Sequence, residues 1–334
     1  MSKKYLYKIA GFLVEIVWKL PDGQRFDLPG FRPFLRNVED LISDHSDILL
    51  RFQIESMDDP YQQRQVINFE KEIFKFDIEN GKCILRKKED IIQFQIFDQD
   101  ENLSLQMIMK TGDPCVRCGC LLQKRFGPDV LSPDLDFLRF AIWMAFAFEG
   151  IPRFAAPIHS SVIVSNQKAV LFLGESGTGK STHTRLWLDH IPGSQLLNDD
   201  SPVIRLLNVD SAVANLQQTE KHPVFYVYGT PWSGKGRVYR SESYPVAGIV
   251  RLQQAPYNRA QRLNIVDGFT ALYPSFPPAY LRDENLHVSI CNMISEILKN
   301  IPVFRLECLP KPSAAYLINN EIFVSEKDNN ETQV

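Results

Sequence analysis

Between Ala169 and Ser181 the chain passes from five apolar residues, Ala169-Val170-Leu171-Phe172-Leu173, straight into Gly174-Glu175-Ser176-Gly177-Thr178-Gly179-Lys180-Ser181, followed by Thr182. No other stretch restricts the fold as strongly. The run satisfies G-x-x-x-x-G-K-[ST] between a buried strand and a helix start, the context in which that pattern cradles phosphate. Glycines let successive backbone N–H groups converge on anionic oxygens without a Cβ in the way. Lys180 supplies a mobile positive charge for the outer phosphates, and the Ser181 hydroxyl is a ligand for Mg²⁺. A helix beginning near Ser181 directs its positive dipole end at the same anion. The expected ligand is a nucleoside polyphosphate, ATP with Mg²⁺, held by residues 174–182.

Nineteen residues after Lys180, a short apolar strand ends in Leu197-Asn198-Asp199-Asp200. Paired carboxylates at a strand end are costly to desolvate without a partner. A metal ion on a triphosphate is one partner, and an attacking hydroxyl that gives up its proton is another. The plainer alternative is a turn of two solvated acids, helped by Ser201-Pro202. On the other side, Ser161-Val162-Ile163-Val164-Ser165, the polar Asn166-Gln167-Lys168 and the strand ending at Leu173 spell a β-hairpin feeding the loop. Ordinary phosphate-loop proteins reach the loop from a strand in a parallel sheet.

With Ile158-His159-Ser160 ahead of the hairpin, the loop, and the Asp pair after one short helix, residues 150–205 resemble the catalytic core of HPr serine kinase/phosphorylase. They also resemble the wider phosphoenolpyruvate-carboxykinase-like group. The resemblance implies an α+β or α/β core with a hairpin running into the loop. It implies ATP as phosphoryl donor and Mg²⁺ as its metal, with Lys180 on phosphate and Ser181, Asp199 and Asp200 at the metal. Asp199 is then the general base, and His159 stands beside the transferred group. The downstream signature of the phosphorylase activity is missing and the first half does not read as that family's regulatory domain, so HPr is not implied as substrate. The chain also lacks the extra motifs of the longer carboxykinases, and decarboxylation is not expected.

The function expected is a kinase that moves the γ-phosphoryl group of ATP to a hydroxyl, serine above others, of a protein, peptide or small molecule. The alternative is a nucleotide-binding accessory protein that switches shape and binds a peptide or protein partner without catalysis. A second glycine-basic run, Tyr228 to Arg237, is either a surface turn or a flap that brings Lys235 or Arg237 to an anion.

Residues 1–130 carry strand candidates at Tyr5–Trp18, Asp47–Ile54, Ile73–Ile78, Cys83–Arg86, Ile91–Phe97 and Leu103–Met109, and predict a mainly antiparallel β domain. A helix capped by Ser132 and stopping at Gly150 is apolar on nearly every face, and is expected to lie buried between the halves as a connector over 131–150. The kinase-like core then covers 151–324, with a helix at Glu284–Asn300 and a strand at Val303–Leu309, and residues 325–334 form a tail expected to be disordered. Cys115, Cys118 and Cys120 have a spacing open to a soft metal, but a closed site needs a fourth ligand and no histidine is near, so reduced thiols in a turn-rich segment are expected. A net charge of −3 argues against nucleic acid or an anionic membrane as partner. The longest apolar run, Phe140 to Phe148, is too short to cross a bilayer. With no leader pattern at Met1 to Glu15, a cytoplasmic location is expected, and self-association is left open.

Overall fold

The computed structural model describes residues 2–20, 27–37, 48–58, 69, 72–124, 131–210 and 221–323. The chain is mixed α/β, with two large sheets and few helices, and it divides into two compact units. The first comprises residues 1–153 with 279–286, the second 154–278 with 287–334.

In the first unit β1 (Lys3–Ile9), β2 (Phe12–Trp18), β3 (Leu35–Arg36), β4 (Ile48–Ser56) and β5 (Glu72–Ile78) are followed by β6 (Gly81–Lys88), β7 (Ile91–Asp98), β8 (Leu103–Lys110) and β9 (Cys115–Cys120). They form one sheet in the order β3-β1-β2-β4-β9-β8-β7-β6-β5. The strands from β5 to β9 are a meander of antiparallel neighbours, as alternating residues and tight polar turns dictate. Asp98 shows how one such turn is made: its Oδ1 accepts from the N–H of Asp100 and of Asn102 at 3.0 and 2.9 Å. The sheet is not antiparallel throughout. β4 runs parallel to both β2 and β9.

Two further corrections concern local structure. Cys115 to Cys120 is a strand of this sheet rather than a turn-rich segment, and the Sγ atoms of Cys118 and Cys120 lie 3.7 Å apart in the core. All six cysteines are free, and no cluster of metal-ligating side chains occurs among the described residues. The helix α1 (Leu135–Gly150) is capped by Asp134, whose carboxylate accepts from the N–H groups of Asp136 and Phe137 at 2.9 and 3.1 Å. Ser132 cannot cap it, because it belongs to β11 (Leu131–Ser132), paired with β10 (Gln123–Lys124). α1 is counted with the first unit and packs on β4 and β8. Its Phe140 lies 5.9 Å from Phe94 and stacks on Trp143 at 5.4 Å.

The second unit is built on β12 (Ala155–Pro157), β13 (Ser160–Ser165), β14 (Lys168–Leu173), β15 (Gln195–Asn198), β16 (Val203–Asp210), β17 (Lys221–Tyr228), β18 (Ser243–Gln254), β19 (Arg259–Arg262) and β20 (Val303–Cys308). β13 and β14 form the antiparallel hairpin, in register from Ser160↔Leu173 to Ser165↔Lys168. Its turn is Asn166-Gln167, both at positive φ, as a two-residue hairpin turn of type I′ requires. β14, β18 and β20 are parallel neighbours. The helices of this unit are α2 (Lys180–His190), α3 (Ile265–Leu272) and, after the single turn α4 (Pro278–Leu281), which is counted with the first unit from Ala279, the part of α5 (Glu284–Asn300) from His287 onward, and α6 (Pro312–Phe323). Phe172, Val250 and Leu306 from the sheet, Trp187 from α2 and Ile318 from α6 share one buried cluster. The expected tail at 325–334 lies outside the described residues. Among the described residues no helix is long and apolar enough to cross a membrane.

Candidate functional site

Three parallel strands end together around the phosphate loop: β14 at Leu173, β18 at Gln254 and β20 at Cys308. The carboxyl ends of parallel strands are where α/β sheets bind their ligands. Gly177 and Gly179 take φ values of +82° and +108°, a region that side chains rarely adopt, and Gly179 is the residue from which α2 starts. The first-turn N–H groups of α2 therefore open onto the loop. Lys180 is buried, and its Nζ donates to the carbonyl oxygens of Gly174 at 2.7 Å and Glu175 at 3.4 Å. Burial lowers its pKa. The loop is tied to β18 twice more: Gln254 Nε2 donates to Gly177 O at 3.2 Å, and Arg251 pairs with Glu175 at 2.8 Å.

Asn198 decides what the acid pair does. Its side chain is fully buried, its Oδ1 accepts from the N–H groups of Asp200 and Ser201 at 2.9 and 3.0 Å, and its Nδ2 donates to Thr230 Oγ1 and Trp232 O at 3.2 and 3.3 Å. This turn sends the two carboxylates to different tasks. Asp199 is engaged at both oxygens: Oδ1 accepts from the Ser233 hydroxyl and from Gly234 N–H at 2.8 Å, and Oδ2 accepts from Gly236 N–H at 2.7 Å. It thereby clamps the second glycine-basic run. Lys235 and Arg237 alternate with the clamped glycines and are both exposed, with Arg237 at φ +50°.

Asp200 faces the other way. Its Oδ1 lies 3.7 Å from His159 Nε2, and the backbone holds the two residues together through Ser160 N–H to Asp200 O at 3.0 Å. Burial raises the Asp200 pKa, and the charge of Asp199 adds to the rise. Burial lowers that of His159, with the nearby Lys180 charge acting in the same direction. A carboxylate of raised basicity thus stands beside a histidine favoured as neutral, with the Lys180 charge acting on both. Ser181 and Thr182, in the first turn of α2, are exposed.

The structure therefore brings His159, Lys180 and Asp200 together with the loop, and directs Asp199 at the 233–236 turn. The sequence marks residues 228–237 as a turn or flap but not their attachment to Asp199, shows Asn198 without a role, and does not single out Arg251 or Gln254. A cavity of about 580 Å³ adjoins the loop, with Leu186, Leu252, Ala255 and Leu309 among its apolar lining and Thr178, Thr182, His183 and Gln254 as polar members. The donor set suits a magnesium-bound polyphosphate: a lysine ammonium, free helix N–H groups, a serine hydroxyl and a half-buried carboxylate. A comparison with models of known protein families gave no match, and a comparison with characterised protein sequences gave no significant similarity.

Proposed function

We propose that this chain is a Mg²⁺- and ATP-dependent kinase that transfers the γ-phosphoryl group to a hydroxyl, with serine as the preferred acceptor group. The observation that carries the reading is the approach of Asp200 to His159 beside a glycine loop whose lysine is already buried within it. Phosphoryl transfer needs little beyond positioning and charge stabilisation, and these residues supply both. Lys180 turns its ammonium from the Gly174 carbonyl to the phosphates, and the N–H groups of the loop and of α2 hold the remaining oxygens. Ser181 would hold the metal, which would neutralise charge on the phosphates, and Asp200 would stand beside it without ligating it. Asp200 rather than Asp199 accepts the acceptor's proton, because both Asp199 oxygens are committed to the 233–236 turn. His159, kept neutral, orients that carboxylate. The apolar cavity at Leu186 and Leu309 accommodates the nucleoside.

The test uses γ-labelled ATP and Mg²⁺ with a cell extract as source of acceptors. The wild-type protein is expected to label an acceptor. Asp200→Asn should bind Mg-ATP within about tenfold of wild type and transfer at least 10²-fold more slowly, the scale of a positioned base. Wild-type transfer by Asp200→Asn removes the assignment, and a wild-type protein that binds Mg-ATP but labels nothing favours the non-catalytic switch.

A further inference from the structure

A second cavity, of about 560 Å³, shares Gly177 and Thr178 with the first but is polar where the first is apolar. Two arginines line it, Arg251 on β18 and Arg305 on β20. These strands are parallel neighbours and the two residues are register partners, so both side chains leave the sheet on one face. Like charges placed directly opposite are unfavourable unless an anion lies between or beside them. Arg251 has such an anion in Glu175, at 2.8 Å. Arg305 is half-buried, and its side chain has no hydrogen bond or ion pair among the described residues. The Glu175 carboxylate is 72% exposed whereas the Arg251 side chain is 21% exposed, so the guanidinium is fixed and the carboxylate is the replaceable partner. An exposed pair of this kind is weak.

We propose that Arg251 and Arg305 form a subsite for an anionic group of the acceptor, a carboxylate or a phosphate close to the reacting hydroxyl, and that Glu175 fills this subsite until the anion arrives. The inference rests on the kinase reading and narrows its substrate class. Arginine suits the task, since its planar fork grips either anion through paired N–H donors. Glu175, the second residue of the phosphate loop, couples the two events: an anion that displaces it frees the loop at the moment the acceptor docks.

The test takes the full chain with Mg²⁺ and a saturating non-hydrolysable ATP analogue, so that the phosphate loop is filled. Inorganic phosphate and acetate are then titrated separately at constant ionic strength, and binding is read by calorimetry and by melting temperature. One anion or both should bind and raise the melting temperature further, and the stronger identifies the group. Arg305→Gln should weaken that anion by about tenfold or more while changing the affinity for the analogue by no more than about twofold. Arg305→Lys should restore part of the loss, and Glu175→Gln, which removes the competing charge, should strengthen anion binding several-fold. Absence of binding by either anion overturns the subsite, as does an Arg305→Gln variant that loses the analogue as severely as the anion, since the arginines would then serve the nucleotide. If the analogue itself fails to stabilise the wild-type chain, the nucleotide reading falls, and the same Arg305 comparison made without nucleotide still decides the subsite.

Discussion

Adjacent identical side chains can hold opposite jobs when a third residue fixes the turn between them, and Asn198 does this for Asp199 and Asp200. The arrangement makes a prediction about pH. In the proposed reaction Asp200 has to be ionised to accept a proton, and its pKa is raised by burial, so transfer should fall away on the acid side at a higher pH than an ordinary aspartate would give. Because the Asp199 charge contributes to that rise, Asp199→Asn should move the acid limb of the pH–rate profile downward, apart from any loss of rate caused by the loosened turn. An acid limb that stays put in Asp199→Asn would show that the two carboxylates do not interact. A second titration concerns stability. His183 is buried, accepts from Trp187 Nε1 at 3.3 Å, and has its pKa pushed down to about 4 by burial. Between about pH 6.5 and that value the unfolded chain binds a proton that the folded chain refuses. Stability from this ring is full above the unfolded pKa and is lost as pH falls through the window. His183→Gln should therefore flatten the dependence of unfolding free energy on pH there by about one proton, or about 1.4 kcal/mol per pH unit, as measured by urea melts.

The hairpin and loop were legible in the chain because each is specified by neighbours in sequence: β-branched runs, a two-residue polar turn, glycines at fixed offsets. Helix α5 and strand β20 were equally plain. What escaped was set by distant partners. The strand at Cys115–Cys120 forms because β4 and β8 offer edges on both sides, and the start of α1 moves to Asp134 because β10 claims Ser132. The 233–236 turn belongs to the same class, since nothing local announces that Asp199 will reach it. Its geometry is strict. A Cβ on Gly236 would lie 2.6 Å from Asp199 Oδ2. Gly236→Ala should thus break the clamp, at a cost of about 1–3 kcal/mol for the strained or unsatisfied carboxylate, whereas Lys235→Ala, on an exposed side chain, should leave stability within about 0.5 kcal/mol. Equal melting temperatures for the two variants would remove the clamp from the account.

Seen across the whole chain, the phosphate loop, the clamp and both cavities all belong to the second unit. Nucleotide should stabilise that unit by mass action, about 2.7 kcal/mol at a hundredfold excess over Kd. Hydrogen exchange should slow first at residues 174–190, and Lys180→Ala should abolish both the exchange protection and the shift in melting temperature produced by Mg-ATP. A full response in Lys180→Ala would place the nucleotide elsewhere. The clamp has one more consequence, for lineage rather than chemistry. Asp199 is tolerable as a carboxylate aimed away from the reacting groups only while small residues at 234 and 236 let the main chain close around it. The three positions therefore drift as a unit: chains descended with this one that replace the first acid of the pair should lose the spaced glycines as well, while positions 235 and 237 vary with whatever each descendant recognises.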